Sequence, residues 1–334
     1  MHIVFFHRKL RPGWQSIEQS FTPLIEELRK NNQVDVYHLP YSEGYPLQVL
    51  KNILYVRKHA CSDGINHISG DVHYCVLGLL GKKSIVTIHD DYSVVRAQHG
   101  WLDKLYRWLF WIYLPIKYCS APVCTNPHNV ERIKKLYNSP KLMSICHLYP
   151  SEDFYISQRS FNKECPRILQ VGTDTNKNLE TTLKVLKGMK CKLVVLKPMT
   201  GDQKKMAEEY GIDYTNRYDI PFSEVVKEYE EADIVVFPST YEGTGFPIME
   251  GQASGKIVIT TNAMPMNWVA GDGAVLLDNP LNVDEFREKL ARVINDDEYR
   301  NNIIEKGIKN AKRFTREEGI RQYEELYKIL MDEK

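Results

Sequence analysis

Several features are absent from this 334-residue chain. Its seven cysteines, at 61, 75, 119, 124, 146, 165 and 191, form no C-x-x-C pair and no metal-ligand spacing. An odd set so scattered argues against a disulfide framework and for reduced thiols in a reducing compartment. No apolar run is long enough to cross a bilayer: the most apolar stretch, 109–116, is short and flanked by charge. Residues 1–6, Met-His-Ile-Val-Phe-Phe, lack the charged start and cleavage site of a secretory signal. Neither charge sign dominates, with 44 Lys+Arg against 43 Asp+Glu, and no nucleic-acid partner is expected. Together these absences predict a cytoplasmic protein.

What is there is the composition of an ordinary globular chain, 43% hydrophobic and 26% charged. Its length suits two domains of about 150 residues. The near-zero net charge hides an imbalance. Residues 1–150 hold 18 basic against 11 acidic side chains, residues 151–334 hold 26 against 32, and all ten histidines lie at or before His147. The halves therefore have different chemical tasks or neighbours, and the basic half suits an anionic partner.

Short β-rich apolar runs alternate with stretches of helical spacing. In the first half they fall at 3–6, 34–39, 65–68, 84–88, 122–125 and 143–148, and after Pro166 at 168–171, 192–196, 212–214, 234–237, 257–260 and 274–277. Strands alternating with helices predict an α/β fold of parallel sheets covered on both faces, and the restart predicts two Rossmann-like, doubly wound domains. The expected limits are 1–155 and 164–314, with a polar link at 149–165. A last helix, 315–334, carries Ile320, Tyr323, Leu326, Tyr327 and Leu330 on one stripe and is expected to cross back to the first domain. Ligands of such sheets sit beyond the carboxyl ends of the strands, so the active site is expected in a cleft lined by post-strand turns of both domains.

The most informative turn is Ser239-Thr-Tyr-Glu-Gly-Thr-Gly-Phe-Pro-Ile-Met-Glu250, directly after a predicted strand and Pro238. Gly243 and Gly245 suit a tight turn into a helix whose first amides, with the positive end of its dipole, would meet a phosphate or sugar. Glu242 and Glu250 supply acceptors for sugar and ribose hydroxyls; the plainer alternative is two acids complementing a helix N-terminus. A second turn, Gly172-Thr-Asp-Thr-Asn-Lys-Asn178, follows the first strand of the second half.

The first of these segments resembles the Glu-x7-Glu signature of glycosyltransferase family 4, the group 1 type with the GT-B fold. The likeness extends through Asp233-Ile-Val-Val-Phe-Pro-Ser-Thr-Tyr-Glu-Gly, Gly255-Lys-Ile-Val-Ile-Thr-Thr-Asn262, Val269-Ala-Gly-Asp-Gly-Ala274 and Asp278-Asn-Pro280. In the first half it is confined to strand order and Thr87-Ile-His-Asp90. The resemblance implies a retaining transferase acting on a nucleotide-diphosphate sugar. Glu250 would bind the ribose and Glu242 the donor sugar, with Gly243, Thr244, Gly245, Phe246 and Pro247 beside them. Gly172, Thr173, Lys177 and Asn178 would form the diphosphate turn, with Lys177 the main cation.

Three departures from the family pattern stand out. Thr173 replaces a frequent Arg, Thr244 a large apolar residue, and Trp268 a Glu. Lys197 or Lys256 is expected to compensate for the missing cation. No Asp-x-Asp occurs, so the usual divalent-metal signature of the other major glycosyltransferase fold is missing and neither metal nor other cofactor is expected.

On the acceptor side, His89 and Asp90 end a strand of the first half, the imidazole oriented by the carboxylate. Arg8, Arg11 and Gly13 follow the first strand, where the arginines suit an anionic acceptor. His67 and His73 lack further ligands and are read as hydrogen-bonding residues. The expected acceptor is a glycan or lipid-linked glycan, in the synthesis of a bacterial-type surface polysaccharide or glycoconjugate. The aromatic stretch 101–118 is either a core helix or a peripheral membrane contact. Two rivals remain at this stage: a sugar-nucleotide epimerase of the same fold, and a non-catalytic sugar-nucleotide or glycan-binding protein.

Overall fold

A computed structural model describes residues 1–10, 16–42, 44–89, 94, 100–146 and 149–332, the side chains of 16–19 excepted. The chain forms two compact units, Met1–Leu148 with Arg316–Lys334, and Tyr149–Thr315.

The first unit holds six parallel strands, β1 (His2–His7), β2 (Gln33–His38), β3 (Ile65–Ile68), β4 (Ser84–Ile88), β5 (Ala121–Cys124) and β6 (Met143–Ser144), in the order β2-β1-β3-β4-β5-β6. The inner strands β3, β4 and β5 are buried throughout, as a sheet covered on both faces requires, whereas the edge strand β2 is partly open and both residues of β6 are exposed. The last helix, Arg316–Asp332, packs Tyr323, Leu326, Tyr327 and Leu330 into this unit's core beside Ile3, Phe5 and Phe21. Its register is fixed by polar contacts too. His67 Nδ1 meets the Tyr327 hydroxyl at 2.7 Å, His67 Nε2 meets Thr87 Oγ1 at 2.8 Å, and Thr87 Oγ1 meets the Tyr323 hydroxyl at 2.9 Å. A buried imidazole with both nitrogens partnered avoids the desolvation cost of an unmade hydrogen bond.

The second unit repeats the plan with β7 (Arg167–Val171), β8 (Lys192–Leu196), β9 (Asp213–Arg217), β10 (Ile234–Phe237), β11 (Ile257–Thr261) and β12 (Val275–Leu277), again all parallel, in the order β12-β11-β10-β7-β8-β9. Residues 149–155, expected at the end of the first domain, group with this unit. The reason is Phe154, buried with its ring 5.1 Å from Tyr229 and 5.7 Å from Phe222. The chain leaves β7 towards β8 and β9, then returns to place β10 on β7's other side. The carboxyl ends of β7 and β10 thus form a topological switch point, where open α/β sheets leave a crevice.

Candidate functional site

Two loops meet at that switch point. After β7 the chain turns at Gly172, φ +95°, where a Cβ would lie 2.7 Å from Cγ of Lys177, so only glycine lets the lysine fold back over the turn. A short 3-10 turn, Thr175–Lys177, and Asn178 in the left-handed region lead into the helix Leu179–Leu186. After β10, Pro238 and Ser239 lead through Glu242 to Gly245, φ +105°, and the helix Phe246–Ala253. Gly251 lets that helix sit close on the sheet, since a Cβ there would lie 2.8 Å from Val258 Cγ2.

The two loops are laced together by Asn176 and Glu242. Thr240 N donates to the Asn176 carbonyl at 2.8 Å, Ser239 Oγ lies 2.7 Å from the same oxygen, and Asn176 Nδ2 donates to the Tyr241 carbonyl at 2.8 Å. Lys177 Nζ lies 2.5 Å from Glu242 Oε1, both side chains largely covered, and 4.9 Å from the Phe237 ring centroid. The same carboxylate oxygen accepts from Ser239 Oγ and from Asn176 Nδ2 at 3.3 Å. Lys177 is held from behind as well, because the buried Gln170 donates to its carbonyl at 2.9 Å and accepts from Thr182 Oγ1 at 2.9 Å. A carboxylate with three donors and an ammonium with a fixed backbone form a preorganised charge pair rather than solvated ends.

Glu250 stands apart from this cluster. Its Oε2 accepts from the hydroxyl of the fully buried Tyr229, and its carboxyl is pushed up to about 7, chiefly by burial, with the Tyr229 hydrogen bond acting the other way. The residue keeps part of its surface open, so it sits at a boundary where a ligand donor would favour the ionised form.

The remaining predicted positions divide by what holds them. Asn178 is a brace: its Nδ2 donates to the Pro238 and Pro280 carbonyls at 3.2 and 2.8 Å and its Oδ1 accepts from Thr181 at 2.6 Å, in the left-handed conformation that asparagine tolerates. Thr173 donates to the Pro198 carbonyl at 2.7 Å, and its own carbonyl accepts from Gln203. Lys197 directly follows β8 at φ +90°, its side chain exposed beside the Gly172 turn, whose amide donates to the Leu196 carbonyl. Lys256, by contrast, precedes β11, at the opposite end of the sheet, and its ammonium is buried against the Glu230 carbonyl at 2.7 Å, which pushes it down to about 8. It does not compensate for Thr173. Gly245 alone of the two motif glycines has a positive φ; Gly243 has open space around it. Thr244 and Pro247 are buried; Phe246 and Pro247 open the helix, and Pro247 has no amide hydrogen to offer a ligand.

In the first unit, His89 Nε2 donates to the Ser69 carbonyl at 3.0 Å, and Asn129 donates to the His89 carbonyl at 2.5 Å. A carbonyl only accepts, so this bond places a proton on Nε2. His7, at the end of β1, meets Ser69 Oγ at 2.5 Å through Nδ1. Arg8 follows it, its carbonyl 3.3 Å from His38 Nδ1. Arg11, Gly13 and Asp90 lie outside the described residues. Among the described residues no group of three or more His, Cys, Asp or Glu could hold a metal, and no helix is long and apolar enough to cross a membrane. Ser239, Asn176, Gln170 and Tyr229 received no role from the sequence, although the first two lie inside the quoted turns; only tertiary pairing reveals them.

Residues 151–310 match the family model of the glycosyl transferases group 1. O-antigen chain mannosyltransferase B of Escherichia coli is 32% identical over 111 residues, 33% of this chain and 29% of that one. A D-inositol 3-phosphate glycosyltransferase of Corynebacterium glutamicum is 34% identical over 126 residues, 36% and 30% of the two chains. The chain therefore spans less than a third of the length of these curated relatives. Sucrose-phosphate synthase of Thermosynechococcus elongatus shares the fold along 100% of both chains with TM-score 0.78 at 16% identity. Anabaena HepE, solved with UDP and glucose, does so over 98% of this chain and 99% of its own, with TM-score 0.77 at 12% identity. Residues 151–310 are thus similar to the glycosyl transferases group 1, and the chain has two Rossmann-like parallel sheets of the GT-B type.

Proposed function

We propose that the chain is a metal-independent, retaining glycosyltransferase that moves a sugar from a nucleotide-diphosphate donor to a hydroxyl of a glycan or lipid-linked glycan, in the synthesis of a surface polysaccharide or glycoconjugate. The observation that carries this is the Lys177–Glu242 pair at the β7/β10 switch point. Lys177 and the amides opening the helix Phe246–Ala253 supply positive charge for a leaving diphosphate without a metal. Lys197, at the end of the neighbouring strand, takes the part of the cation that Thr173 lacks. Glu242 receives donor-sugar hydroxyls and Glu250 receives ribose hydroxyls, while His89 is assigned to a sugar or acceptor hydroxyl and Arg8 and Arg11 to anionic acceptor groups.

In the reaction the bond from the anomeric carbon to the phosphate oxygen breaks, and the acceptor oxygen bonds to the same face. The acceptor proton passes to the leaving phosphate oxygen, so no enzyme nucleophile is needed. The fixed cation acts as charge develops on the diphosphate, which lowers the barrier more than it tightens donor binding. Incubation with a panel of nucleotide sugars, with and without acceptor extracts, tests the reading. Acceptor-dependent release of nucleoside diphosphate supports it; conversion of the sugar without release indicates an epimerase, and binding without either indicates a binding protein.

A further inference from the structure

The helix Pro46–His59 of the first unit is built the wrong way round for a helix facing water. Its inner face buries Val49, Asn52 and Val56. Its outer face repeats at i, i+3, i+4, i+7 and i+11 as Leu47, Leu50, Lys51, Leu54 and Lys58, and the three leucines are 64%, 52% and 57% exposed. Solvent-facing stripes are ordinarily polar. Tyr45, just before the helix, is 66% exposed as well.

A second segment with the same character touches the turn that opens this helix. The helix Trp101–Arg107 runs through a π-helical turn, Trp108–Tyr113, into Leu114–Tyr118. Trp111, Ile112 and Ile116 enter the same core as Val49 and Val56. Trp101, Leu102 and Leu105 at the other end are exposed, Trp101 by 73%. The stretch is thus both core and surface. Tyr106 donates to the Gly44 carbonyl at 3.1 Å, joining this segment to the start of the leucine-bearing helix.

Charge selects the occupant. The two segments carry Lys51, Arg57, Lys58, Lys104, Arg107 and Lys117 against one acid, Asp103, which is spent on Arg107 at 2.9 Å. A protein–protein interface core tends to lose charged residues, lysine among them. A lipid surface selects the opposite combination, apolar side chains that enter the acyl boundary between lysines that stay among anionic headgroups.

We propose that these two segments form one face that docks on an anionic lipid bilayer, inserting Leu47, Leu50, Leu54 and Trp101. This extends the expected contact at 101–118 to a second helix and names the lipid charge. It rests on the transferase reading only in giving that enzyme access to a lipid-linked acceptor, and its test needs no turnover.

The experiment is co-sedimentation of the whole chain with vesicles of phosphatidylglycerol mixed into phosphatidylcholine, and with phosphatidylcholine alone, alongside Trp fluorescence. Expected are binding to the anionic vesicles at least about tenfold tighter than to neutral ones, a blue shift, and a further loss as salt rises. Lys51→Glu with Lys58→Glu should weaken binding at least about tenfold, Leu50→Gln with Leu54→Gln should do so without changing the charge, and Trp101→Phe should remove most of the blue shift. Circular dichroism of each variant checks folding. Equal binding to both vesicle types, no binding to either, or anionic binding untouched by both double variants overturns the proposal. So does a concentration-dependent dimer in sedimentation velocity that the leucine variant dissolves, which would assign the face to a second copy. Failure here would leave acceptor-dependent nucleotide release unaffected.

Discussion

The carboxyl edges of the two sheets are made of different chemistry. In the second unit the edge is a charge pair: Lys177 and Glu242, tied by Ser239 and Asn176 to both loops of the β7/β10 switch point. In the first unit it is imidazole and aromatic carbon: His7 against Ser69, His89 on the Ser69 carbonyl, and Phe21 packed near both rings at 6.3 and 6.2 Å. A preorganised charge acts on a group that gains charge, and an oriented neutral donor or acceptor acts on hydroxyls. On the proposed reading, this difference would give the diphosphate to the second unit and hydroxyl positioning to the first.

The sharpest way to break this contrast is to remove the charges. Lys177→Ala and Glu242→Ala should each lower acceptor-dependent turnover at least ~10²-fold; steady-state nucleotide release is the readout, and near-normal turnover would reject the roles. His89→Ala should cost less, about tenfold in kcat, while leaving nucleoside diphosphate affinity unchanged by calorimetry, because positioning is lost and charge is not. A loss of diphosphate affinity in that variant would erase the distinction between the edges.

Glu250 gives the comparison a pH axis. With its carboxyl pushed up to about 7 by burial, only the ionised form accepts two ribose hydroxyls, so donor affinity should rise about tenfold between pH 6 and 8, and Glu250→Gln should flatten the profile. Stability runs the other way. The folded value exceeds the ordinary 4.5, so this group's contribution is fully present below pH 4.5 and is lost as pH rises through about 7. Denaturant titrations of the wild type and of Glu250→Gln across that window check the sign. The smallest effect is expected at Lys197, held at φ +90°. Lys197→Gly should raise stability by about 0.5–1 kcal/mol while weakening donor binding, whereas a purely structural lysine would show only the first change.

The fold was legible because parallel strands buried on both faces read as unbroken apolar runs. Residues 234–237 and 84–88 are predicted to the residue, and the largest shifts occur at edge strands such as β9, whose half-open pattern gives weaker contrast. The site was legible in position but less so in role. Glu242, Lys177 and Gly245 stand in post-strand turns that the sequence marks plainly. That Asn178 is a brace and Lys256 sits at the wrong end of the sheet follows from tertiary contacts, to which spacing along the chain is blind. The exposed stripe of the helix Pro46–His59 is not legible in the sequence, because three leucines at helical spacing look like a core stripe until the structure shows which face is buried.

On the proposed mechanism, Lys177 neutralises Glu242 and presents its remaining field to a diphosphate. Calorimetric titration of nucleoside diphosphates into the wild type, Lys177→Ala and Lys177→Ala with Glu242→Gln reads this out. The single variant should weaken binding at least about thirtyfold, because an unpaired carboxylate then faces the phosphates, and the double variant should recover about tenfold of it. Equal affinity in all three proteins would contradict it.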